Sequence, residues 1–242
     1  MKSVATSPAI EGLSPRQIDE RLGVASVAYL PLGSLEFHGP HLPVGVDALT
    51  AQGVCLAAAE RTGGIVLPAI HQAVGGEHTS YPWTLMSRHP EPIEASLAET
   101  LLRLDELGVR RFVILSGHFA LEQRDLAARV ADTWNASGAS SRAVARTLGQ
   151  VPQPPVAPDH AGQFETLLLW ALHPELVDLG RLPGAEAFPA PEGDDPFGAD
   201  RHRPDHPLHG IFGPDPRGLD TTRAAPLLEH VVRWATTLAS GG

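Results

Sequence analysis

Residues 27–47 of the chain read VAYLPLGSLEFHGPHLPVGVD. The apolar run at residues 27–32 is typical of a strand that is buried on both faces. Residues 33–46 are rich in glycine, proline and histidine and predict a loop, after which Asp47 begins a helical stretch. A buried strand, a polar loop and a helix in this order indicate a parallel α/β unit.

The same alternation continues along the chain. Further strands are predicted at residues 65–70, 111–116 and 142–148, and helices at residues 15–22, 47–63, 92–107, 120–136, 161–172 and 221–238. Strands separated by helices favour a mostly parallel sheet with helices on both faces, so we expect a three-layer α/β/α fold.

One segment departs from this alternation. Residues 183–219 are dense in proline, glycine, aspartate and histidine and predict a long loop. A loop of this length is functional, an interface arm or partly disordered, and we expect a lid or an oligomer contact. Because only one helix follows it, we expect a single domain over residues 1–242.

Composition limits the classes of function. The chain carries 18 basic and 28 acidic residues, and the formal net charge of −10 argues against binding to nucleic acid or to an anionic membrane. No apolar run reaches the length of about 18 residues that a membrane span needs, and no signal peptide is recognisable. The single cysteine, Cys55, cannot form an internal disulfide. We therefore expect a cytoplasmic protein that acts on a small molecule.

The 12 histidines are the unusual count, since histidine is the commonest metal ligand and acid–base group near neutral pH. In open α/β sheets, sites form beyond the carboxyl ends of the strands. Polar side chains follow three of the predicted strands at that edge: Glu36, His38 and Asp47 after the first, His118 after the third, and Asp159, His160 and Glu165 after the fourth.

Each of these residues also has a structural alternative. Asp47 is placed to cap a helix or to bridge two metal ions, and His118 to cap the next helix. Glu165 is either an exposed helix carboxylate or, given its apolar neighbours, a buried one that needs a partner. Taken together, oxygen and nitrogen ligands without cysteine suit Zn²⁺, Mn²⁺ or Fe²⁺ and argue against a closed structural zinc site.

Four segments together carry a resemblance to a known family. Residues 33–47 closely resemble the signature of the creatininase family, roughly G-S-x-E-Q-H-G-P-H-L-P-x-x-x-D. Residues 77–84 resemble its E-H-x-x-F-P-G-T, residues 116–118 its N-G-H, and residues 160–166 its H-A-G-x-x-E-T. The resemblance extends over about residues 25–235.

The resemblance implies a compact α/β domain with two divalent metal ions, commonly assembled as a hexamer. Members hydrolyse non-peptide C–N bonds in cyclic or formyl amides, and one branch processes a peptide-derived redox cofactor. Carried over by motif, the metal ligands are Glu36, His38, Asp47 as the bridge, His118 and Glu165. His160 resembles the proton shuttle, and we expect Asp159 or a nearby carboxylate to orient its ring.

The chain also departs from the family pattern. Ser116 replaces an asparagine, and Ala120 stands where creatininase itself has a ligand glutamate, which leaves the second ion dependent on Glu165 or Glu122. The segment at residues 156–159 lacks the tryptophan that creatininase places there. These differences predict a substrate other than creatinine.

Three further residues are predicted to bind substrate. Phe119 matches the aromatic residue that follows the motif histidine, and Trp83 replaces the glycine of the second motif and reshapes the pocket. His78 lines the pocket or has a structural role, whereas His41 is expected to support the motif loop.

We therefore expect a metal-dependent amidohydrolase that cleaves a non-peptide C–N bond through a metal-bridged hydroxide. One alternative is a non-catalytic paralogue that binds metal or ligand, which the altered segment after His118 favours. Another is a lyase or cyclase that uses the same metal site.

Overall fold

The computed structural model describes residues 7–76 and 78–240. Four strands form one parallel sheet in the order β2-β1-β3-β4: β1 Val27–Leu32, β2 Ile65–Val66, β3 Arg111–Ser116 and β4 Arg142–Thr147. The α-helices are α1 Pro15–Val24, α2 Val46–Thr62, α3 Glu91–Glu106, α4 Leu121–Ala136, α5 Gln163–Leu172 and α6 Ala224–Ser240. Within these described ranges, no helix is long and apolar enough to cross a membrane.

Helices cover both faces of the sheet, as the alternation of side chains along β1 shows. Tyr29 points into a core formed with α2, α5 and α6. Its neighbour Leu30 points into a second core on the opposite face, formed with α3 and α4. Successive strand residues face opposite sides, so a strand buried on both faces is apolar throughout. The predicted three-layer α/β/α fold is confirmed.

Some predicted boundaries are wrong, for local reasons. The second strand ends at Val66 instead of residue 70, because Pro68 has no N–H to donate to the sheet, and only an isolated bridge joins Ile70 to Leu32. The fourth strand ends at Thr147, where a short 3₁₀ turn begins. The helix predicted from residue 161 begins at Gln163.

The segment at residues 183–219 has little regular structure but is partly packed. It contains the 3₁₀ helices Ala199–His202 and Pro216–Gly218. Arg201 is 1% exposed, and its guanidinium pairs with Asp194 at 2.7 Å. The same arginine donates to the backbone carbonyl of Ile211 at 2.9 Å. The single-domain assignment stays a prediction.

Two glycines allow α2 to pack directly on the end of the sheet. A Cβ at Gly33 would overlap the backbone nitrogen of Ala48, and a Cβ at Gly117 would overlap the carbonyl oxygen of Asp47. Gly33 follows β1 and Gly117 follows β3, so the first turn of α2 rests against both strand ends. This contact fixes Asp47 at the carboxyl edge of the sheet.

We predict that Gly117→Ala lowers the free energy of unfolding by about 3 kcal/mol or more, because backbone rather than a movable side chain occupies the space. Gly12→Ala is the control, since nothing lies within 4 Å of a Cβ built there. Urea denaturation in the presence of a chelator measures both variants without a contribution from bound metal. Equal stability of the two variants would contradict the packing argument.

Candidate metal centre

Five of the predicted site residues converge at the carboxyl edge of the sheet. Glu36 and His38 lie in the loop after β1, Asp47 in the first turn of α2, His118 directly after β3, and Glu165 in the first turn of α5. All five are buried, with at most 5% of their surface exposed. A cluster of three carboxylates and two imidazoles at this depth needs internal partners or bound cations.

Asp47 lies between the two histidines. Its Oδ1 is 3.2 Å from His38 Nε2, and its Oδ2 is 3.2 Å from His118 Nδ1. Ser34 donates its hydroxyl hydrogen to the same Oδ2. The capping alternative for Asp47 is wrong, because Gly45 occupies the N-cap position of α2. The carboxylate therefore presents one oxygen to each histidine.

The two histidines have different surroundings. His38 Nδ1 donates to the backbone carbonyl of Glu36 at 3.0 Å, which leaves Nε2 to face Asp47 and the Oε2 of Glu165, 3.3 Å away. His118 Nδ1 is 3.0 Å from Glu36 Oε2. The capping alternative for His118 is also wrong, since Ala120 is the N-cap of α4. A hydrogen bond on one ring nitrogen that orients the other is the usual arrangement at metal-binding histidines.

Glu165 is buried and not the exposed helix carboxylate that was the alternative. Its Oε2 accepts a hydrogen bond of 2.7 Å from the backbone N–H of Ala161. Ala161 has a φ of +57°, a left-handed conformation that costs an alanine about 1 kcal/mol or more. The strained backbone is compensated by the hydrogen bond that it makes to the carboxylate.

The ligand atoms form overlapping groups, in each of which all atoms lie within 4.8 Å of one another. One group is Glu36, Asp47 and His118, and another is His38, Asp47 and Glu165, so Asp47 belongs to both. A third group joins Glu36 and His38 to His160 and does not include Asp47. Glu36 Oε2 and His38 Nε2 have no hydrogen-bond partner although both are buried. Close but unbonded oxygen and nitrogen atoms suit divalent cations such as Zn²⁺, Mn²⁺ or Fe²⁺.

The charges of the cluster are strongly coupled. Burial lowers the pKa of His38, but the carboxylates of Asp47 and Glu165 outweigh it and hold the pKa well above the usual 6.5. For His118, burial is likewise outweighed, by Asp47 and Glu36, and its pKa rises to about 10. Without bound cations, both imidazole rings are therefore protonated on both nitrogens and positively charged at neutral pH.

We predict that metal binding releases about two protons per chain near pH 7, because His38 and His118 must deprotonate before they bind a cation. When the pH is below these raised pKa values, protons compete with the cation for the ring nitrogens of the two histidines. The affinity should therefore rise with pH across the neutral range. Titration of chelator-treated protein with Zn²⁺ in weakly buffered solution measures both quantities, and binding without proton release would contradict the prediction.

His160 lies beside this cluster as a neutral base. Its Nε2 donates to the backbone carbonyl of Phe37 at 3.0 Å, so Nδ1 is the unprotonated nitrogen. The ring stacks on His78, with centroids 4.1 Å apart and planes 16° apart, and lies 4.3 Å from His38. Burial and the neighbouring positive charge of His38 hold the pKa of His160 well below its usual value.

Asp159 does not orient this ring. Its carboxylate accepts hydrogen bonds from the backbone N–H groups of Phe164 and Glu165, at 2.9 and 3.3 Å, and thereby stabilises the start of α5. Burial and the charge of Glu165 raise the pKa of Asp159 to about 8. The expected role in orienting His160 is therefore wrong, and the carbonyl of Phe37 takes that role.

The predicted pocket residues have different positions. His78 and Phe119 line a cavity of about 110 Å³ beside the cluster, and His78 Nδ1 is 2.6 Å from Glu36 Oε1. Trp83 is 79% exposed and does not line this cavity, so the expected effect on the pocket does not arise within one chain. Glu77, in the same motif, lies outside the described residues.

Other predicted alternatives are also resolved. Glu122 is exposed and belongs to none of the candidate ligand groups among the described residues, whereas Glu165 belongs to one of them. His41 is buried and lies 3.1 Å from the hydroxyl of Thr166. Burial lowers the pKa of His41 to about 4, so its ring is neutral at pH 7 and supports the motif loop through its contact with Thr166.

Two contributors were missed from sequence. Ser34 belongs to the motif at residues 33–47, and its hydroxyl, two residues before Glu36, is a signal for a hydrogen-bond donor to the cluster. Phe37 acts through its carbonyl, which side-chain reasoning cannot identify.

The fold and the cluster define an α/β protein with a carboxylate–histidine metal centre at the edge of a parallel sheet. The family model for creatininase, described as creatinine amidohydrolase, matches residues 11–239. The chain belongs to the creatininase family of hydrolases, as the four motifs indicated.

Relatives of two kinds are similar to the chain. A creatinine amidohydrolase of Pseudomonas putida is 33% identical over 64% of the chain and 68% of the relative. A mycofactocin precursor peptide peptidase of Mycobacterium ulcerans (strain Agy99) is 31% identical over 67% of the chain and 65% of the relative, so the match spans slightly less than two thirds of that protein. A solved creatininase mutant described as Zn-Zn type is 25% identical, with a TM-score of 0.73 and coverage of 98% of this chain and 99% of that one.

Proposed function

We propose that the chain is an amidohydrolase that cleaves a non-peptide C–N bond of a small molecule, such as a cyclic amide or a formamide, with the help of two divalent cations. The observation that carries the proposal is the position of Asp47, which presents one oxygen to His38 and the other to His118. A carboxylate shared in this way is suited to hold two cations close together.

The two ligand groups divide the cations between them. Glu36, Asp47 and His118 would hold one cation, and His38, Asp47 and Glu165 the other. Zn²⁺, Mn²⁺ and Fe²⁺ fit the donor atoms, and the similarity to a creatininase described as Zn-Zn type supports zinc. When bound, such cations lower the pKa of water and polarise a carbonyl group.

The residues of the chain supply the proton transfer. His160 is neutral, and its unprotonated Nδ1 can take up a proton and then give it to the departing nitrogen. The carbonyl of Phe37 holds the ring in one tautomer, and the stacked ring of His78 restricts its rotation. Phe119 lines the space beside His160, where its apolar ring would limit the access of water to the reacting group.

A peptide amide is the second candidate substrate. The similarity to the mycofactocin precursor peptide peptidase supports this second candidate. In either case we propose a cytoplasmic homo-oligomer, a hexamer by family resemblance, that acts on a small molecule or short peptide and binds neither nucleic acid nor membrane.

Two histidine variants separate metal binding from catalysis. We predict that His118→Ala loses bound metal, because it removes a ligand from one of the two groups. His160→Ala keeps the metal and loses turnover by about 10²-fold or more, the usual contribution of a general acid or base. Metal analysis with a turnover assay measures both, and full metal retention by the His118 variant would contradict the ligand assignment.

The bond class is tested on a panel of substrates with wild-type protein loaded with Zn²⁺ or Mn²⁺. Hydantoin, N-formylglycine, creatinine and a short peptide represent the candidate amides. We expect products whose summed mass exceeds that of the substrate by one water for at least one amide, with creatinine among the poorest substrates. Mass spectrometry distinguishes this gain from the unchanged total mass that a lyase or cyclase would give. No product from any amide, with two cations bound per chain, would favour the non-catalytic alternative.

A further inference from the structure

A second cavity adjoins the one at the metal centre. It has a volume of about 380 Å³, and His160 and Phe119 line both spaces. Phe197 and Phe212, from the segment at residues 183–219, contribute two further aromatic rings to its wall. We call this second space the outer chamber. It is the larger of the two spaces.

The outer chamber contains one accessible charged group. Its ionisable lining residues are Arg124, Asp159 and His160. The carboxylate of Asp159 is directed at the backbone of α5, and His160 is held by the carbonyl of Phe37. Arg124, in the first turn of α4, therefore gives the chamber a positive charge in a chain whose formal net charge is −10.

The guanidinium of Arg124 is weakly engaged. Its Nε and Nη2 both lie 3.3 Å from the same oxygen of Asp125, the adjacent residue. The two side chains are 44% and 55% exposed, so water screens the pair and its contribution is small. A guanidinium presents a planar fork of donors that fits a carboxylate or a phosphate better than it fits this single oxygen.

We infer that the outer chamber binds the amine-side part of the substrate, as an aromatic or branched apolar group that carries an anionic oxygen group, and that Arg124 selects that group. The inference rests on the proposed function, because His160 gives its proton to the departing nitrogen and so places the amine half on its own side. The three phenylalanines contact the apolar part, and the guanidinium pairs with the anion at the chamber wall. Arg124 is a specificity residue and takes no part in the bond cleavage.

The test is a binding measurement with matched probes. Isothermal titration of metal-loaded protein compares 3-phenylpropionate with 3-phenylpropionamide, which differ in charge but little in shape. We expect the acid to bind about tenfold more tightly than the amide, as one charge-assisted pair allows. Arg124→Gln should abolish this preference and leave amide binding within about twofold, and Arg124→Lys should keep part of it. Phenylphosphonate, measured alongside, shows whether a carboxylate or a phosphate is preferred.

Arg129→Gln is the matched control. Arg129 lies on the same helix and is 55% exposed, but it pairs with Glu94 at 2.6 Å and does not line the outer chamber. Its loss changes the net charge equally, so it should leave the preference intact. The inference is overturned if wild-type protein binds the acid no better than the amide, or binds neither. It is also overturned if Arg124→Gln keeps the preference for the acid, because that result would mean that the acid binds the cations instead of Arg124. Since binding is measured without turnover, failure of the hydrolysis assay and failure of this test are separate results.

Discussion

The contact between α2 and the ends of β1 and β3 determines the position of the metal centre. Gly33 and Gly117 have no side chains, so the backbone at Asp47 and Ala48 lies directly against them. Any larger residue would push the helix outward and take the Asp47 carboxylate away from both histidines. The first turn of α2 also places the positive end of the helix dipole at this carboxylate, which favours its ionised form. The contact between α2 and the strand ends thus fixes the position of the Asp47 carboxylate and also favours its negative charge.

The cluster is costly to bury, and its geometry indicates what compensates the cost. Three carboxylates face two imidazoles, and several of the closest pairs lie at 3.0 to 3.3 Å. A buried ion pair is favourable only when the geometry is good and further hydrogen bonds complete it. Ser34, Ala161 and His78 supply such bonds to three different carboxylates. Within the cluster, Glu36 Oε2, His38 Nε2 and His118 Nε2 are buried without a hydrogen-bond partner, and a bound cation would give them one.

Much of the fold followed from the sequence because the apolar pattern is strong. The bounds of β1 and β3 were predicted without error, since both strands are buried on two faces. The second strand was overextended because its apolar run continues past the proline that ends the pairing. The convergence of polar residues at one sheet edge was predictable from the parallel topology alone.

Roles that depend on the direction of the backbone were not predictable. Asp159 and His160 are neighbours in sequence, yet the carboxylate of Asp159 faces the backbone of α5 and the imidazole of His160 faces the metal centre. The left-handed conformation of Ala161 follows this pair, and nothing in an alanine signals it. The exposure of Trp83 was likewise hidden, because a motif match fixes the position of a residue in the chain but not the direction of its side chain.

The sheet and the long loop contribute to different parts of the site. The candidate metal ligands lie at the sheet edge, whereas the segment at residues 183–219 forms part of the wall of the outer chamber. The buried guanidinium of Arg201 links two parts of this segment, because it pairs with Asp194 and donates to the carbonyl of Ile211. Phe212, which follows Ile211, exchanges two backbone hydrogen bonds with His160: each N–H donates to the other residue's carbonyl at 2.8 Å. The loop therefore positions the proton-transfer residue and shapes the substrate space, so changes within it can alter the substrate while the cation ligands remain the same.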